Sequence, residues 1–420
     1  MNSAPVSPQS AKGLFRSLDS QNYRLWIGGS ILSNVGTWMQ RVAQDWLVLT
    51  QLTHNTATTV GIVMALQYGP ILLLLPVAGH AVDHLNRRKL LIATQAALGA
   101  LALGLGLLTI VGLVRLWQVY IFAFVQGCIS AFDQPARQSF VSELVDDADL
   151  PNAVAVNAIS FNAARLIGPA AAGVLIAAVG TGPAFLLNAV SFVTVLWSLF
   201  LMRPQTMRRT AKPEHRDSLL EGFRYVWHRP DLKTALVMLF LIGTFGYNFP
   251  IFISTMSVRV FHAGASRFGL LTSMMAVGSI LGAALATRRP NPNMKHLLGG
   301  ACLFGVGCTL AAVMPNYLLF GGALMIIGVS HITFGTTQTS FLQLATGHAM
   351  RGRVMAIRNA IASGTTPLGA PIVGWVADSF GPRWSLGVGA ASGFIAAAIA
   401  IAYLSRQSPA QLDTEISAAD

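Results

Sequence analysis

The sequence is built from repeated apolar blocks of about 20 residues, the length that a helix needs to cross the hydrocarbon core of a bilayer. Of its 420 residues, 53% are hydrophobic and only 10% are charged, whereas about 25% are charged in typical soluble proteins. The alternating segments of about ten residues that mark outer-membrane barrels are absent. We therefore predict an all-α polytopic membrane protein. Its twelve predicted transmembrane helices span 23–52, 57–82, 88–112, 116–136, 151–179, 183–202, 232–259, 266–288, 295–314, 317–340, 352–378 and 384–404.

The basic residues are distributed unevenly between the two ends of these helices. The formal net charge of +12 would suggest a nucleic-acid partner for a soluble protein. With the N-terminus placed in the cytoplasm, however, most Lys and Arg residues fall in cytoplasmic segments, as the positive-inside rule describes. The exceptions are Arg115, Arg259, Arg267 and Arg383 on the opposite side, and Arg41 and Arg165 in mid-span. We expect a bacterial inner-membrane protein with both termini cytoplasmic and no nucleic-acid partner.

The chain divides into two halves of six predicted helices each. We predict a cytoplasmic tail at 1–22, a first bundle at 23–202, a cytoplasmic linker at 203–231, a second bundle at 232–404 and a cytoplasmic tail at 405–420. The sequences of the two halves resemble each other at a constant offset of 201 residues, since Gly168 matches Gly369 and Gly173 matches Gly374. Two pseudo-symmetric repeats with a site between them are typical of transporters. Within the linker, SLLEGFRYVW either lies amphipathically on the membrane surface or is only a tether.

A polar stripe interrupts the first apolar helix. Asn34, Trp38, Arg41 and Asp45 are spaced four, three and four residues apart, so they share one helical face. A charge at the bilayer centre costs about 2.5–3.5 kcal/mol even on the mildest insertion scale. The stripe therefore predicts a water-filled or protein-lined interior, with Asp45 as a candidate proton carrier. The alternative is a structural ion pair between Arg41 and Asp45 within the helix.

Other predicted helices also carry polar faces. The fourth contains Gln126, Ser130, Asp133 and Arg137, and the fifth contains Asn162 and Arg165. Asp133 is a second candidate proton carrier, with a structural pair to Arg137 as the alternative. The remaining candidates for a substrate cavity lie in the second half and are Tyr247, Asn248, Gln338 and Arg358.

The loop after the second predicted helix contains a recognisable motif. It reads Gly79-His-Ala-Val-Asp83-His-Leu-Asn-Arg87-Arg88 and resembles the signature G-x-x-x-D-[RK]-x-G-[RK]-[RK] of the major facilitator superfamily, with departures at residues 84 and 86. We expect Gly79 to let helices approach closely. The resemblance implies that Asp83 faces the positive N-terminal end of the helix that begins near Arg351 and holds the cytoplasmic side shut. The alternative is that the basic residues only anchor the topology.

A second motif lies in the fifth predicted helix. Arg165-Leu-Ile-Gly168-Pro169-Ala-Ala-Ala-Gly173 resembles the G-P-x-x-G-G motif of superfamily antiporters, with alanine at the penultimate glycine. The resemblance implies export. Phe140-Val-Ser-Glu143 and Gly374-Trp-Val-Ala-Asp378 further resemble the subgroup that includes the bacterial enterobactin exporter, and the resemblance covers nearly the whole chain.

These observations predict a secondary transporter rather than an enzyme. We expect export of a small amphipathic molecule, siderophore-like or drug-like, by proton antiport with alternating access. The chain contains no G-x-x-x-x-G-K-[ST] phosphate loop, so we expect the proton gradient to be the energy source, with no cofactor or metal. The expected partners are the substrate and the bilayer, and a monomer suffices. The alternatives are an importer of a small metabolite, a membrane enzyme, and a sensor that does not transport.

Overall fold

A computed structural model describes residues 15–203, 219–286 and 292–416, and in these ranges the regular secondary structure is entirely helical. The helices are α1 (Gln21–Leu47), α2 (Ala57–Leu73), α3 (Leu75–His84), α4 (Arg87–Ile110), α5 (Leu116–Leu144), α6 (Leu150–Val179), α7 (Gly182–Leu201), α8 (Leu219–Trp227), α9 (Pro230–Leu241), α10 (Phe249–Thr255), α11 (Ala265–Ala286), α12 (Met294–Val313), α13 (Tyr317–Ala345), α14 (His348–Ser379) and α15 (Pro382–Ile416). Single π-helical turns follow α1, α9 and α10. The all-α fold is confirmed.

The described helices are consistent with twelve membrane crossings. Nine helical segments in these ranges are long and apolar enough to span a membrane, and the pair α2–α3 makes a tenth. The remaining two are α1 and α14, which have 27 and 32 residues. Their length suffices at 1.5 Å per residue, but both carry buried or half-buried charged residues. They are the two least apolar of the helices counted as crossings.

Several helices extend past the predicted boundaries. The fourth crossing was expected to end at residue 136, but α5 continues to Leu144; α13 continues to Ala345, five residues past its expected end. Hydropathy marks where the hydrocarbon ends, whereas the backbone hydrogen bonds of a helix continue into the polar interface. The predicted segments therefore coincide with helices, but the prediction underestimated how far those helices continue at their polar ends.

Two crossings are broken where proline interrupts the hydrogen-bond ladder. The second crossing bends by 56° between α2 and α3, where Pro76 lies in the first turn of α3 and cannot donate a backbone hydrogen bond. The seventh crossing is split between α9 and α10 at Tyr247 and Asn248, just before Pro250. The second break places a non-helical turn at the centre of the protein.

Helices α1–α7 and α9–α15 form two bundles. We call the membrane side where α1 begins the terminal side, and the side where α1 ends the far side. The bundles meet where α2 packs along α14 and α6 packs along α11. A Cβ at Gly61 would overlap the carbonyl of Ala370, and one at Gly173 would lie 2.7 Å from the carbonyl of Ala265. These glycines lie in the far-side halves of their helices, so the bundles are joined most tightly there.

Helix α8, from the linker, packs against α14 on the terminal side. Leu220, Phe223 and Trp227 lie on its other face with 82%, 56% and 62% of their surface exposed. A helix with such an unpartnered apolar face is suited to the membrane surface. The linker residues 204–218 are outside the described residues.

Candidate functional site: a cavity between the bundles

A cavity of about 300 Å³ lies between the two bundles; we call it the central cavity. Helices α1, α2 and α6 supply one wall, and α10, α11, α13 and α14 supply most of the other. The lining residues are Trp38, Arg41, Val42, Asp45, Met64, Gln67, Tyr68, Arg165, Tyr247, Phe249, Pro250, Ile253, Phe268, Thr272, Met275, His331 and Thr366. Both bundles therefore contribute polar and aromatic side chains to one space.

A second cavity of about 530 Å³, the side cavity, adjoins the first on the terminal side. The two cavities share Tyr247 and His331. Arg358 lies in the wall of the side cavity, together with Thr336 and Ser340, which are exposed at the protein surface. We call the central cavity and the side cavity together the passage; its terminal-side end is lined by the exposed residues Thr336 and Ser340.

Trp38 is the centre of the first-bundle wall. The guanidinium groups of Arg41 and Arg165 lie 4.8 Å and 5.7 Å from its ring, within the range of cation–π attraction. Gly168 makes this arrangement possible, because a Cβ there would lie 2.6 Å from the Cβ of Trp38. The glycine of the antiporter-like motif thus brings α6, and with it Arg165, against α1.

Asp45 lies half-buried in the wall of the central cavity. Arg41 acts on it electrostatically, but no ion pair within 4.0 Å joins the two groups in the parts of the chain that the structure describes. The alternative of an intrahelical pair is therefore not what this conformation shows. The neighbouring Trp46 stacks on Phe268 of the other bundle at 5.7 Å, so Asp45 lies beside a contact between bundles.

Asp133 has a different environment. It is buried and accepts hydrogen bonds from Thr94 Oγ1 at 2.7 Å and Gln95 Nε2 at 2.6 Å, and it pairs with Arg137 at 2.9 Å. It lines neither cavity of the passage. This geometry favours the structural alternative, in which Asp133 joins α5 to α4.

Four other candidates do not line the passage. These are Asn34, Gln126, Ser130 and Asn162, all half-buried. The amide of Asn162 donates to the carbonyl of Ala158 in its own helix at 2.8 Å. Asn34 shares the helical face of Trp38, Arg41 and Asp45 but lies at another depth, whereas none of the residues that line the two cavities belongs to α5, the helix of Gln126 and Ser130.

Two second-half candidates also lie behind the passage rather than in its wall. Asn248 is fully buried and donates to the carbonyl of Thr244 at 2.7 Å, which supports the turn between α9 and α10. Gln338 is fully buried, donates to a carbonyl of α9 at 3.0 Å, and accepts a weak hydrogen bond from Arg358 Nε at 3.4 Å. Both amides position their neighbours.

The loop motif does not make the expected contact in this conformation. Asp83 is exposed, and among the described residues it has no hydrogen-bond or ion-pair partner. The expectation for Gly79 was wrong here, because a Cβ there would meet nothing within 4 Å. The cause is the bend before α3, which turns this segment onto α5 of its own bundle. Arg87 pairs with Glu143 at 2.8 Å and Arg88 donates to a carbonyl of α7 at 2.8 Å, so both hold the first bundle together.

An unexpected contact closes the far side. The carboxylate of Asp378, at the end of α14, accepts hydrogen bonds from the backbone N–H of Ala57 and Thr58, both at 2.8 Å, and from Thr58 Oγ1 at 2.6 Å. Arg259 holds the same carboxylate from within the second bundle at 3.0 Å. We call this contact the Asp378 clasp; it joins the second bundle to the first turn of α2.

The sequence held two signals for residues that the prediction missed. Asp378 stands at the C-terminal end of a helix, where the helix dipole disfavours an anion, so another positive group had to compensate it. His331 is a titratable residue within an apolar span, and it lines both cavities. Gln67 and Tyr68 carried no such signal, because α2 has no polar stripe around them.

Two helical bundles that meet around a central cavity are the architecture of the major facilitator superfamily of transporters. Residues 13–418 match the family described as transmembrane secretion effectors. The chain belongs to this family of the superfamily, which confirms the predicted relationship, and it is a multi-pass bacterial membrane transporter and not an enzyme.

Relatives of several substrate classes resemble the chain over most of its length. The staphyloferrin A transporter of Staphylococcus aureus is 27% identical and covers 85% of this chain and 90% of its own length. The multidrug efflux pump Tap of Mycolicibacterium fortuitum is 25% identical, with 84% and 88% covered. The enterobactin exporter EntS of Shigella flexneri is 25% identical, with 82% and 81% covered.

Solved structures share the fold at low sequence identity. A bacterial homologue of the human lysosomal transporter Spinster, in an inward-facing and unoccupied conformation, matches with a TM-score of 0.71 at 14% identity, covering 90% of this chain and 96% of its own. A POT family transporter in complex with 5-aminolevulinic acid matches with a TM-score of 0.72 at 12% identity, covering 92% and 96%.

Proposed function

We propose that this protein exports a small amphipathic molecule, siderophore-like or drug-like, across the bacterial inner membrane by proton antiport. The observation that carries the proposal is the central cavity, where Asp45 and two guanidinium groups from the first bundle face aromatic groups of the second. The names of three relatives, two of them siderophore transporters and one a multidrug efflux pump, support the substrate range. A single chain contains the complete passage, so the proposed working unit is a monomer.

The proposed direction follows from charge and conformation together. The positive-inside rule assigns the terminal side, with both chain ends, to the cytoplasm. The passage then opens to the cytoplasm, while the Asp378 clasp and the glycine contacts close the far side. This arrangement suits loading of a substrate from the cytoplasm. Release outside requires the clasp to open and the terminal side to close.

Asp45 is the proposed proton carrier. It is the carboxylate in the wall of the central cavity, whereas Asp133 is held by three donors outside it. An ionised Asp45 can accept hydrogen bonds from hydroxyl or N–H groups of the substrate, and protonation removes this charged acceptor, so a proton and the substrate compete for Asp45. In the proposed cycle, a proton taken up on the acidic far side discharges into the cytoplasm as the next substrate binds.

The test uses proteoliposomes with an imposed pH gradient and the membrane potential clamped by valinomycin and potassium. The probes are the anionic dye fluorescein and the cationic dye tetramethylrhodamine methyl ester. An antiporter accumulates a transported dye when the interior is acidic; a proton-coupled importer does so when the exterior is acidic. A sensor that does not transport accumulates neither dye beyond protein-free liposomes.

Matched variants identify the proton carrier. Asp45→Asn should abolish gradient-driven accumulation while leaving the amount of inserted protein unchanged. Asp133→Asn should retain gradient-driven accumulation of the dye, in proportion to the amount of folded protein in the membrane. Full gradient-driven transport by Asp45→Asn contradicts the assignment, and loss of coupling in a well-folded Asp133→Asn variant transfers the role to Asp133.

A further inference from the structure

The passage carries more positive than negative groups. Arg41 and Arg165 line the central cavity and Arg358 lines the side cavity, whereas Asp45 is the one carboxylate in these two walls. In the described ranges, neither Arg41 nor Arg165 has a hydrogen bond or an ion pair within 4.0 Å, and their close contact is the ring of Trp38. Arg358 has only neutral side-chain amides as hydrogen-bond partners, at 3.2 Å and 3.4 Å.

Such uncompensated guanidinium groups are costly inside a membrane protein. A guanidinium stays protonated under ordinary conditions, so it cannot avoid the cost by losing its charge. Its five N–H donors form a fork that suits carboxylate, sulfonate or catecholate oxygens. The chain supplies one anion for three cations, so a bound molecule that brings further negative charge completes the site.

Two polar atoms at the junction of the cavities also lack partners. Tyr247 Oη and His331 Nδ1 are buried without a hydrogen-bond partner among the described residues. Their rings meet edge to face at 4.3 Å. His331 lies close enough to interact electrostatically with both Arg165 and Arg358. The unpartnered polar atoms therefore lie between the positive group of the first bundle and that of the second.

We propose that the substrate is an amphipathic organic anion with two separated negative groups. One group binds Arg41 and Arg165 on the first bundle, and the other binds Arg358 on the second. The flat apolar part between them packs on Trp38 and Phe249, and Tyr247 with His331 provides polar contacts. This inference rests on the proposed function in taking the passage as the substrate site. A molecule held at both ends bridges the bundles, so binding itself favours a closed cytoplasmic side.

Two dyes that share a xanthene ring system but differ in charge test this inference. Binding of fluorescein, as its dianion, and of tetramethylrhodamine methyl ester, a cation, is measured by fluorescence anisotropy with the protein in nanodiscs. Wild type should prefer fluorescein. Arg165→Gln and Arg358→Gln should each weaken fluorescein binding roughly tenfold to a hundredfold, as expected for loss of a charge-assisted hydrogen bond, and should not weaken binding of the cation.

The control variant is Arg383→Gln. Arg383 donates to the carbonyls of Ala312 and Met314 at the far-side surface, so its loss should leave binding of both dyes unchanged. Equal or tighter binding of the cation by wild type, or no binding of fluorescein, overturns the inference. So does a loss of fluorescein affinity in Arg383→Gln as large as in Arg165→Gln.

Transport of the same dyes separates this inference from the proposed function. Gradient-driven accumulation of the cation alone supports an exporter and refutes an anionic substrate. Arginine-dependent binding of fluorescein without accumulation of either dye supports the anion site and refutes the exporter.

Discussion

Removal of the Asp378 carboxylate should open the far side of the transporter. In Asp378→Ala, α2 loses the acceptor for two backbone N–H groups and for the hydroxyl of Thr58. These three hydrogen bonds cross between the bundles, whereas the ion pair with Arg259 lies within the second bundle. Only the bonds that cross distinguish a closed far side from an open one, so the variant should change the conformational equilibrium more than the folding of either bundle.

The size of the effect follows from these three bonds. Hydrogen bonds to a charged group contribute about 1.5–3 kcal/mol each. The side chains of Asp378 and Arg259 are 23% and 28% exposed, and one carboxylate serves all three donors, so the lower end applies to each. We expect Asp378→Ala to destabilise the closed far side by about 4–5 kcal/mol, which lowers the ratio of closed to open molecules about a thousandfold to five-thousandfold. Asp378→Asn keeps one acceptor oxygen and should have about half this effect.

Spin-label distances measure this equilibrium directly. Val111 directly follows α4 and Val313 is the last residue of α12. Their side chains are 66% and 59% exposed. The two helix ends occupy corresponding places at the far side of the two bundles. Labels on cysteines at these positions, with the three native cysteines replaced, should show a longer distance population in Asp378→Ala than in wild type. The matched control is Asp149→Ala, which breaks the ion pair with Arg16 at 3.0 Å inside the first bundle. Identical distance distributions in wild type and Asp378→Ala, or an equal shift in the control, would refute the role of the clasp.

Two glycine substitutions give further predictions. Gly369→Ala places a Cβ onto the carbonyl of Thr244 within the second bundle, so we expect it to lower the free energy of unfolding by about 1–3 kcal/mol. This is measured as a lower melting temperature. The control is Gly335→Ala, whose added Cβ meets nothing within 4 Å and should leave the melting temperature unchanged. Gly269→Ala places a Cβ onto the carbonyl of Pro169 across the bundles, so it should lengthen the far-side spin-label distances without a comparable loss of stability, and unchanged distances would contradict this interpretation.

The sequence predicted the features that depend on one helix at a time. Each crossing must cover its own length of hydrocarbon, so hydropathy located it. Trp38, Arg41 and Asp45 all line the central cavity, and their helical spacing placed them together on one face. Asn34 shares that face, but it precedes Asp45 by 11 residues, or about 16 Å of helix. It lies outside the passage because spacing gives direction around a helix and not depth along it.

Contacts between helices could not be predicted in the same way. The donors and the acceptor of the Asp378 clasp are about 320 residues apart, and their meeting depends on how α2 and α14 slide along each other. Gly61 and Gly374 set that register, since a Cβ at either would collide with backbone of the opposite helix. A single sequence shows where the small residues lie along each helix, but it does not show which residues of the neighbouring helix pack against them.

The pair formed by α2–α3 and α14 shows how these contacts can alternate. The helices run antiparallel, so each N-terminal end lies near the other's C-terminal end. On the far side, Asp378 at the end of α14 meets the first turn of α2. On the terminal side, Asp83 at the end of α3 is expected from the family resemblance to meet the start of α14, yet the bend before α3 turns it away. A rigid rocking motion that brings α3 to α14 must separate α2 from Asp378. We therefore expect Asp83→Asn, which weakens the terminal-side contact, to shift the far-side distances opposite to Asp378→Asn, and a shift in the same direction would show that the two carboxylates do not act on one equilibrium.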